Sequence, residues 1–220
     1  KGKSITLKAG DRVPLKRAED SLNVQLRCVV GMQEAVAPRQ NAQPNPLASQ
    51  ITEKPKDTSD NANSLGFTLR FGNWRFIDLG DLTWNIESKL VSPVNLLGSV
   101  DVYLTTHHGL EISNNSVLIK TVAPRVAIFN NGPRKGGHPD VTKSLKAVPG
   151  LEAIWQLHRN VTASEAENTS RERIANWDEN CTAQFIKLSV AADSKSYTVQ
   201  IGKDGKPTTY QTKDQREPRR

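Results

Sequence analysis

From Ser64 to about Arg159 the chain alternates short apolar strands with short helices, and this alternation restricts the fold more than any other feature. The stretch opens with SLGFTLRFGNWRFIDLGD, where apolar residues recur at every second position on either side of a Gly72-Asn73 turn. That spacing and that turn predict a β-hairpin. Strands and helices then follow in turn, a pattern typical of α/β folds in which helices cover a sheet.

Local patterns predict the remaining elements. Apolar residues three and four positions apart, cap residues and terminating prolines indicate helices, while uninterrupted apolar runs indicate buried strands. The predicted helices are LTWNIESKLVSP, NNSVLIKTVAP and HPDVTKSLKAV, and the predicted buried strands are DVYLTTHHG, PRVAIFNNG and LEAIWQLHRN. Two N-terminal strands, ITLKAGDRVPL and LNVQLRCVVG, and a C-terminal hairpin, AQFIKLSVAADSKSYTVQIGKDG, flank this region. The predicted fold class is therefore α/β with flanking β-hairpins.

Composition divides the chain into three parts. Residues 1–159 are predicted to form the main domain, 160–213 a C-terminal β-hairpin extension and 214–220 a solvated basic tail. Within the main domain, residues 37–63 contain four prolines and many small polar residues. Such a composition cannot bury enough apolar surface to form a core, so an exposed, irregular and poorly ordered loop insertion is predicted there.

Charge and hydropathy exclude few classes of function. The net charge of +7, from 30 basic and 23 acidic residues, suits a polyanionic partner only weakly. No run of about 18 apolar residues is present, so no transmembrane helix is predicted. The opening KGKSITLKAGDRV has no apolar signal core and no starting Met, which predicts a fragment and leaves its compartment open. Cys28 and Cys181 fit either two buried free thiols or one disulfide, which would imply export.

Three of the predicted strands end in polar or ionisable residues. The first ends at Asp81, the second at His107 and His108, and the third at Asn130-Asn131. Ligands of open α/β sheets bind beyond the carboxyl ends of strands, so these side chains meet if the strands are neighbours. Asp and His are ligands of zinc and similar metals. The pattern therefore predicts a metal site at this edge of the sheet.

Each of these features also has a structural interpretation. A Gly-Asp pair after a strand is usually a turn, and adjacent histidines can be a hydrogen-bonded pair in a core or on a surface. His138, in GGHP, can reach the same edge, or it can start a helix with Pro139 in the first position. His158, in QLHRN, is separated from the others and is interpreted as structural. The choice depends on which of these residues lie together.

Taken together, the motifs resemble a known family. SLGFTLRFGNWRFIDLGD, then DVYLTTHHGLEIS, then PRVAIFNNG followed by GGHP are similar, in this order, to the C-terminal half of a metallo-β-lactamase-fold hydrolase, in its ComEC competence-protein-like form. The resemblance covers roughly 95 of the 220 residues. It implies part of an αβ/βα sandwich, a site for two zinc ions or for manganese, and hydrolysis of a phosphodiester or related ester through a metal-activated water.

The resemblance also implies roles for individual residues. Asp81 is expected to bridge the two metal ions, and His107 and His108 to supply metal ligands, with His108 favoured as the direct one. Asp81 and His108 are then the catalytic residues. Asn131 and His138 are expected at the rim of the site, where they contact a phosphate-containing or ester substrate, with nucleic acid as one such substrate.

The chain departs from the family at two motifs. It has no HxHxDH, because all four histidines follow residue 106, and the region of the next expected histidine offers only polar residues such as Asn61. With so few ligands, the isolated piece is expected to bind zinc weakly and to lack hydrolase activity. Because the resemblance covers only the C-terminal half of the sandwich, the apolar face of the sheet is also expected to be partly exposed. Two alternatives stay open: a non-catalytic binding or assembly module without a complete metal centre, and an α/β domain whose histidines are structural.

Overall fold

The structure, a computed structural model, describes residues 4–16 and 22–214. The strands of this part of the chain are β1 (Val24–Gly31), β2 (Glu34–Ala35), β3 (Gly66–Phe71), β4 (Trp74–Asp78), β5 (Val102–Leu104), β6 (Val126–Phe129), β7 (Ala153–His158), β8 (Ile174–Asn176), β9 (Ile186–Val190), β10 (Ser196–Ile201) and β11 (Thr208–Gln211). Its α-helices are α1 (Trp84–Lys89), α2 (Ser116–Val122) and α3 (Pro139–Lys146). The predicted α/β class is confirmed.

Eight of these strands form one mixed sheet in the order β2-β1-β3-β4-β5-β6-β7-β8. The strands from β2 to β4 pair antiparallel, and the predicted turn at Gly72-Asn73 joins β3 to β4 in a hairpin. From β4 to β8 every pairing is parallel. The three strands with polar ends, β4, β5 and β6, are therefore neighbours, and their carboxyl ends meet at one edge of the sheet.

Both faces of the large sheet are covered, which explains why β6 is apolar along its whole length. On one face the helices form a core with the sheet, in which Ile77 and Leu118 are fully buried. On the other face packs a three-stranded sheet of order β11-β10-β9, whose Tyr197 and Val199 lie in one cluster with Val102. The expected exposure of an apolar sheet face is wrong for these central strands, because the second sheet covers them.

Residues 37–63 are irregular, as predicted, but they are not simply exposed. Asn45 is buried, and its side-chain amide donates to the Val91 carbonyl at 2.7 Å. Leu47 and Ile51 pack against the core on the helical face. Most of the segment is exposed, as predicted, but one buried polar residue and a few apolar side chains attach it to the core.

The two ends of the chain also differ from their predicted structure. ITLKAGDRVPL forms no strand, and its β-contact in the described part of the chain is a bridge between Arg12 and Arg27. Beyond residue 159, β8 continues the large sheet, and β9–β11 form the second sheet, so this part contains more than a hairpin. The predicted basic tail lies outside the described residues, apart from Asp214.

Two further expectations concern the compartment. Cys28 is buried and Cys181 is exposed, and both are free thiols, so the disulfide alternative is wrong. Across the described ranges, no helix combines the length and the apolar character that crossing a membrane requires.

Candidate functional site

Three loops converge beyond the carboxyl ends of the parallel strands. Asp81 follows β4, and the pair His107-His108 follows β5. The backbone N–H of His107 donates to the Gly80 carbonyl at 2.8 Å, so the loops after β4 and β5 are joined directly. The carbonyl of His108 accepts from the N–H of Gly137 at 2.9 Å, which attaches the loop after β6. The parallel topology therefore brings distant segments of the sequence to one place.

The predicted approach of the two histidines to Asp81 is confirmed. His108 Nε2 lies 3.7 Å from Asp81 Oδ1, and His107 Nε2 lies 3.9 Å from Asp81 Oδ2. His107 is buried, whereas the side chains of His108 and Asp81 are 31% and 36% exposed. We call these three side chains the Asp81 cluster. It is open to solvent on the side of His108 and the carboxylate.

Hydrogen bonds determine which ring nitrogen of each neutral histidine carries its proton. The hydroxyl of Ser113 donates to the Leu82 carbonyl at 2.7 Å, so its oxygen accepts from Nδ1–H of His107, 3.3 Å away. The carbonyl of Asn130 can only accept, so Nδ1–H of His108 donates to it at 3.1 Å. Nε2 of each imidazole then carries the lone pair, and both Nε2 atoms face the carboxylate.

The Asp81 cluster therefore consists of acceptors. Its N···O separations of 3.7 and 3.9 Å are too long for hydrogen bonds. Nδ2 of Asn61, 3.4 Å from His107 Nε2, offers that histidine a long hydrogen bond. The polar neighbour of His108 Nε2 among the described residues is the carboxylate of Asp81. A lone pair that faces a carboxylate is unfavourable unless a proton or a cation lies between them.

Electrostatics at His107 disfavour the proton. Burial, the largest cause, lowers the pKa of this imidazole. Asp81 and Asp57 raise the pKa, whereas the positive charge of Lys135 and the neighbouring His108 lower it. Because burial is the largest contribution, the neutral form with its free Nε2 lone pair is favoured at this position.

The backbone that presents the two histidines is strained and held by hydrogen bonds. His107 and His108 adopt φ angles of 51° and 59°, in the left-handed region that residues other than glycine rarely occupy. The buried Tyr103 hydroxyl donates to Oδ1 of Asn114 at 2.8 Å, and Nδ2 of Asn114 donates to the Thr106 carbonyl at 2.8 Å. Strain of this kind persists where the surroundings impose it, and it concentrates at functional sites.

A cavity of about 410 Å³ adjoins the Asp81 cluster on the side of Asn61. Its lining includes Lys54, Trp84 and Ile112. The ammonium of Lys54 lies 3.8 Å from the centroid of the Trp84 ring. The cavity thus combines an aromatic wall with a positive charge, and the segment 37–63 forms one of its sides.

Sequence patterns did not mark all residues near His107. Asp57 and Lys135 act on this imidazole through their charges, yet both lie in irregular segments without periodicity. Asn61 lies in the region where the resemblance implies a further histidine, and its side-chain amide is 3.4 Å from Nε2 of His107. No local sequence signal marks Asp57 or Lys135.

The two residues predicted to contact substrate have other partners. Asn131 is buried; its Nδ2 donates to the His158 carbonyl at 2.8 Å, and its Oδ1 accepts from the His158 N–H at 3.3 Å. His138 caps α3, where its Nδ1 accepts from the Asp140 N–H at 3.3 Å, as the helix-start interpretation predicts. Its Nε2 lies 4.0 Å from the Glu111 carboxylate. Substrate contact by Asn131 and His138 stays a prediction.

The donors of the Asp81 cluster fit zinc or manganese in kind, but not in number. A carboxylate and neutral imidazoles are ligands that such metals accept. Two ligands of a tetrahedral zinc ion lie about 3.4 Å apart when the bonds are about 2.1 Å long, so separations of 3.7 and 3.9 Å are slightly wide. Within the described ranges, no three or more His, Cys, Asp or Glu side chains form a group that could hold a metal ion. The cluster is at most a partial set of ligands.

Comparison with known proteins does not assign the chain to a family. No model of a known protein family matches its sequence, and no curated protein matches it. The resemblance to metallo-β-lactamase-fold hydrolases therefore depends on the order of the motifs and on the geometry around Asp81.

Proposed function

We propose that this chain is a metal-dependent hydrolase of the metallo-β-lactamase superfamily that acts on a phosphodiester or a related ester. In this proposal Asp81, His107 and His108 are metal ligands. The observation that supports it most is that two Nε2 atoms with lone pairs face one carboxylate from 3.7 and 3.9 Å. A divalent cation between the three side chains is the group that makes this arrangement favourable.

The groups behind the two imidazoles support the same proposal. A histidine that binds a metal donates its other ring N–H to an oxygen, which fixes the tautomer and the ring orientation. The Asn130 carbonyl accepts from His108, and the Ser113 hydroxyl accepts from His107. His138 provides a contrast within the chain, because its Nδ1 accepts a hydrogen bond and leaves the proton on Nε2. His108, whose Nε2 faces the carboxylate without competition from Asn61, is the favoured direct ligand.

The surroundings of the cluster suit an anionic substrate. A divalent cation held by these residues supplies Lewis-acid activation of water and neutralises developing negative charge. Lys135 is exposed on the loop after β6, and its charge reaches His107, so its ammonium binds a substrate oxygen at the open side of the cluster. The net charge of +7 favours approach of phosphate esters over neutral substrates.

The layers of the chain agree with the sandwich that we propose for the whole domain. Helices cover one face of the large sheet, and the sheet β9–β11 covers the other. This succession of helix, sheet and sheet matches three of the four layers of an αβ/βα sandwich. In this sandwich the second sheet, which the sequence pattern predicts as an extension, belongs to the same domain as the Asp81 cluster.

The number of ligands favours a second candidate function. A catalytic zinc ion takes three protein ligands and keeps one position for water, and a pair of ions needs more donors than the Asp81 cluster provides. The hydrolase therefore requires further His or carboxylate ligands from another segment or subunit. Without them, the chain is a binding or assembly module that keeps the fold and lacks an active metal centre.

Metal content and hydrolysis together test the proposal. We expect the protein to bind zinc or manganese, and D81N and H108N to weaken that affinity by about 10-fold or more. H158N is the control, because His158 interacts with Cys181 and not with the Asp81 cluster. Turnover of bis-p-nitrophenyl phosphate that is lost in the same variants supports the hydrolase. Absence of both metal binding and turnover supports the binding module, and metal affinity unchanged in D81N and H108N contradicts the assignment of Asp81 and His108 as ligands.

A further inference from the structure

A cleft lined by arginines lies on the helix-bearing side of the antiparallel strands. Two adjoining cavities, of about 690 and 250 Å³, share Arg27, Arg39 and Arg75 in their linings. Arg12 and Arg70 line the smaller cavity as well. We call these two cavities the arginine cleft. Five guanidinium groups around one depression are an unusually dense positive charge for a chain whose overall excess is +7.

The arginine cleft is separate from the Asp81 cluster. Asp81 follows the carboxyl end of β4, whereas Arg75 is the second residue of that strand. The extended backbone from Arg75 to Asp78 alone spans about 10 Å. A ligand in the cleft therefore occupies the opposite end of the sheet from the candidate hydrolytic site, and its binding does not depend on the function proposed for that site.

The register of the sheet places the arginines on one face. Arg70 lies directly opposite Arg75 and, on its other side, opposite Gln25 of β1. Arg27, two residues after Gln25, projects from the same face and forms a β-bridge with Arg12. Residues directly opposite each other in antiparallel strands have Cβ atoms about 5 Å apart, and like charges in such positions are destabilising.

The Arg12–Arg27 pair is not offset by a carboxylate in the described part of the chain. Nε of Arg27 donates to the Gly10 carbonyl at 3.4 Å, a neutral partner. Arg39 is exposed on the segment that forms the other wall of the cleft. One carboxylate, that of Asp214, lines the larger cavity. The bridge therefore places Arg12 and Arg27 opposite each other with a neutral partner, and a bound anion would relieve the repulsion between these two side chains.

We propose that the arginine cleft binds a phosphate polyanion, with Arg12, Arg27 and Arg39 as its principal contacts. A guanidinium group presents its donors in a planar fork that matches two oxygens of one phosphate group. The three arginines come from three separate segments, so a ligand with at least two phosphate groups engages them together. A free oligophosphate and the backbone of a nucleic acid share this chemistry.

Two probes test the proposal and distinguish the sources. Inorganic tripolyphosphate, measured by calorimetry, represents a free oligophosphate, and a fluorescent oligothymidylate of about 12 nucleotides, measured by anisotropy, represents a nucleic-acid backbone. We expect the triple variant R12Q/R27Q/R39Q to weaken binding by about 10-fold or more. The control R134Q/R171Q/R173Q removes the same charge far from the cleft and is expected to change affinity by less than about 2-fold.

The outcomes separate the possibilities. If the cleft variant, but not the control, loses affinity for tripolyphosphate, the ligand is assigned as a free oligophosphate. If that selective loss of affinity occurs with the oligonucleotide alone, the ligand is assigned as a nucleic-acid backbone. Equal weakening by the cleft and control variants, or no binding of either probe to the parent, overturns the proposal. Because Arg39 is exposed, its replacement leaves the packing of the fold intact, and R39Q therefore repeats the test at a single position. R39K should retain part of the affinity.

Discussion

The hydroxyl of Ser113 lies 3.3 Å from Nδ1 of His107 and donates its own proton to the carbonyl of Leu82. It therefore accepts from the imidazole and donates to the backbone at the same time. Ser113 is fully buried, so no solvent replaces either contact. This single residue determines that Nε2, and not Nδ1, of His107 presents its lone pair to Asp81, and we regard it as a positioning residue.

Replacement of Ser113 by Ala tests that role. We expect S113A to lower the free energy of unfolding by about 1–3 kcal/mol, because it leaves Nδ1–H and the Leu82 carbonyl without a partner. We also expect metal affinity to fall by about 10–100-fold, since the orientation of the imidazole is no longer fixed. Urea unfolding and metal titration measure the two effects. S189A, on β9, is the control, and a parent-like metal affinity in S113A would show that Ser113 does not position the imidazole.

Gly136 and Gly150 form a matched pair for a second prediction. Both have φ of +81°, but a Cβ on Gly136 would lie 2.0 Å from the carbonyl oxygen of His108, whereas a Cβ on Gly150 would meet nothing within 4 Å. G136A and G150A therefore share the conformational strain of a left-handed alanine, and only G136A adds a steric overlap. We expect G136A to be less stable than G150A by about 1–3 kcal/mol.

Thermal unfolding of the two glycine variants measures that difference, and histidine NMR signals show whether His108 moves. A shift of the His108 signals in G136A and not in G150A supports the view that the loop after β6 fixes the position of the imidazole beside Asp81. Equal stability of the two variants would mean that the loop moves away from His108 without cost.

The order of strands and the place of the Asp81 cluster were predictable because both follow from local signals. The apolar runs before Asp81 and before His107 identify buried strands, and buried strands separated by helices pair in parallel. The rule that polar groups gather beyond the carboxyl ends of such strands then brings the two residues together. The tautomers were not predictable, since they depend on which atoms of Ser113 and Asn130 face the two imidazoles, and sequence patterns give no side-chain geometry.

The attachment of the segment 37–63 to the core is a feature that local sequence patterns do not reveal. Its average composition is polar, and average composition was the basis for the prediction of an exposed loop. The structure attaches it through Asn45 and Leu47, whose partners are far away in the sequence. Long-range contacts of this kind leave no periodic signal in the sequence. The sequence therefore does not predict that this segment lines the cavity beside Asn61.

Glu87 carries a prediction about pH. This residue of α1 is fully buried, and its Oε2 accepts from the N–H of Asn115 at 2.7 Å. Burial raises its pKa from 4.5 to about 7, against the opposing effects of the Asn115 hydrogen bond and the charge of Lys54. Between these two values the folded state keeps a proton that the unfolded state releases. The free energy of unfolding therefore falls as the pH rises through this window and stays low above it.

The variant E87Q removes this titration. We expect its stability relative to the parent to increase by about 2–3 kcal/mol between about pH 5 and about pH 8. E53Q, at an exposed carboxylate, is the control for the loss of one negative charge. Urea unfolding at both pH values gives the comparison, and a difference between E87Q and the parent that is the same at both values would show that Glu87 does not titrate in this range.

Asn45 provides the last prediction, on the attachment of the segment 37–63. Its Nδ2 donates to the Val91 carbonyl at 2.7 Å and to the Thr121 hydroxyl at 3.0 Å. N45A leaves the buried Val91 carbonyl without this donor, at a cost of about 1–3 kcal/mol. Because these hydrogen bonds attach the segment to the core, their loss lowers the free energy needed to detach it, and the segment opens locally more often.

Limited trypsin digestion under native conditions measures that opening, since the segment contains cleavable Arg39 and Lys56. We expect N45A to be cut after Arg39 and Lys56 about 10-fold faster than the parent, a factor that corresponds to the lower part of the expected cost. N41A, at an exposed asparagine of the same segment, should be cut at the parental rate. The segment also brings Asn61 to 3.4 Å from His107, so its release should change the environment of that imidazole. Parental cleavage of N45A would mean that the apolar contacts of the segment attach it without Asn45.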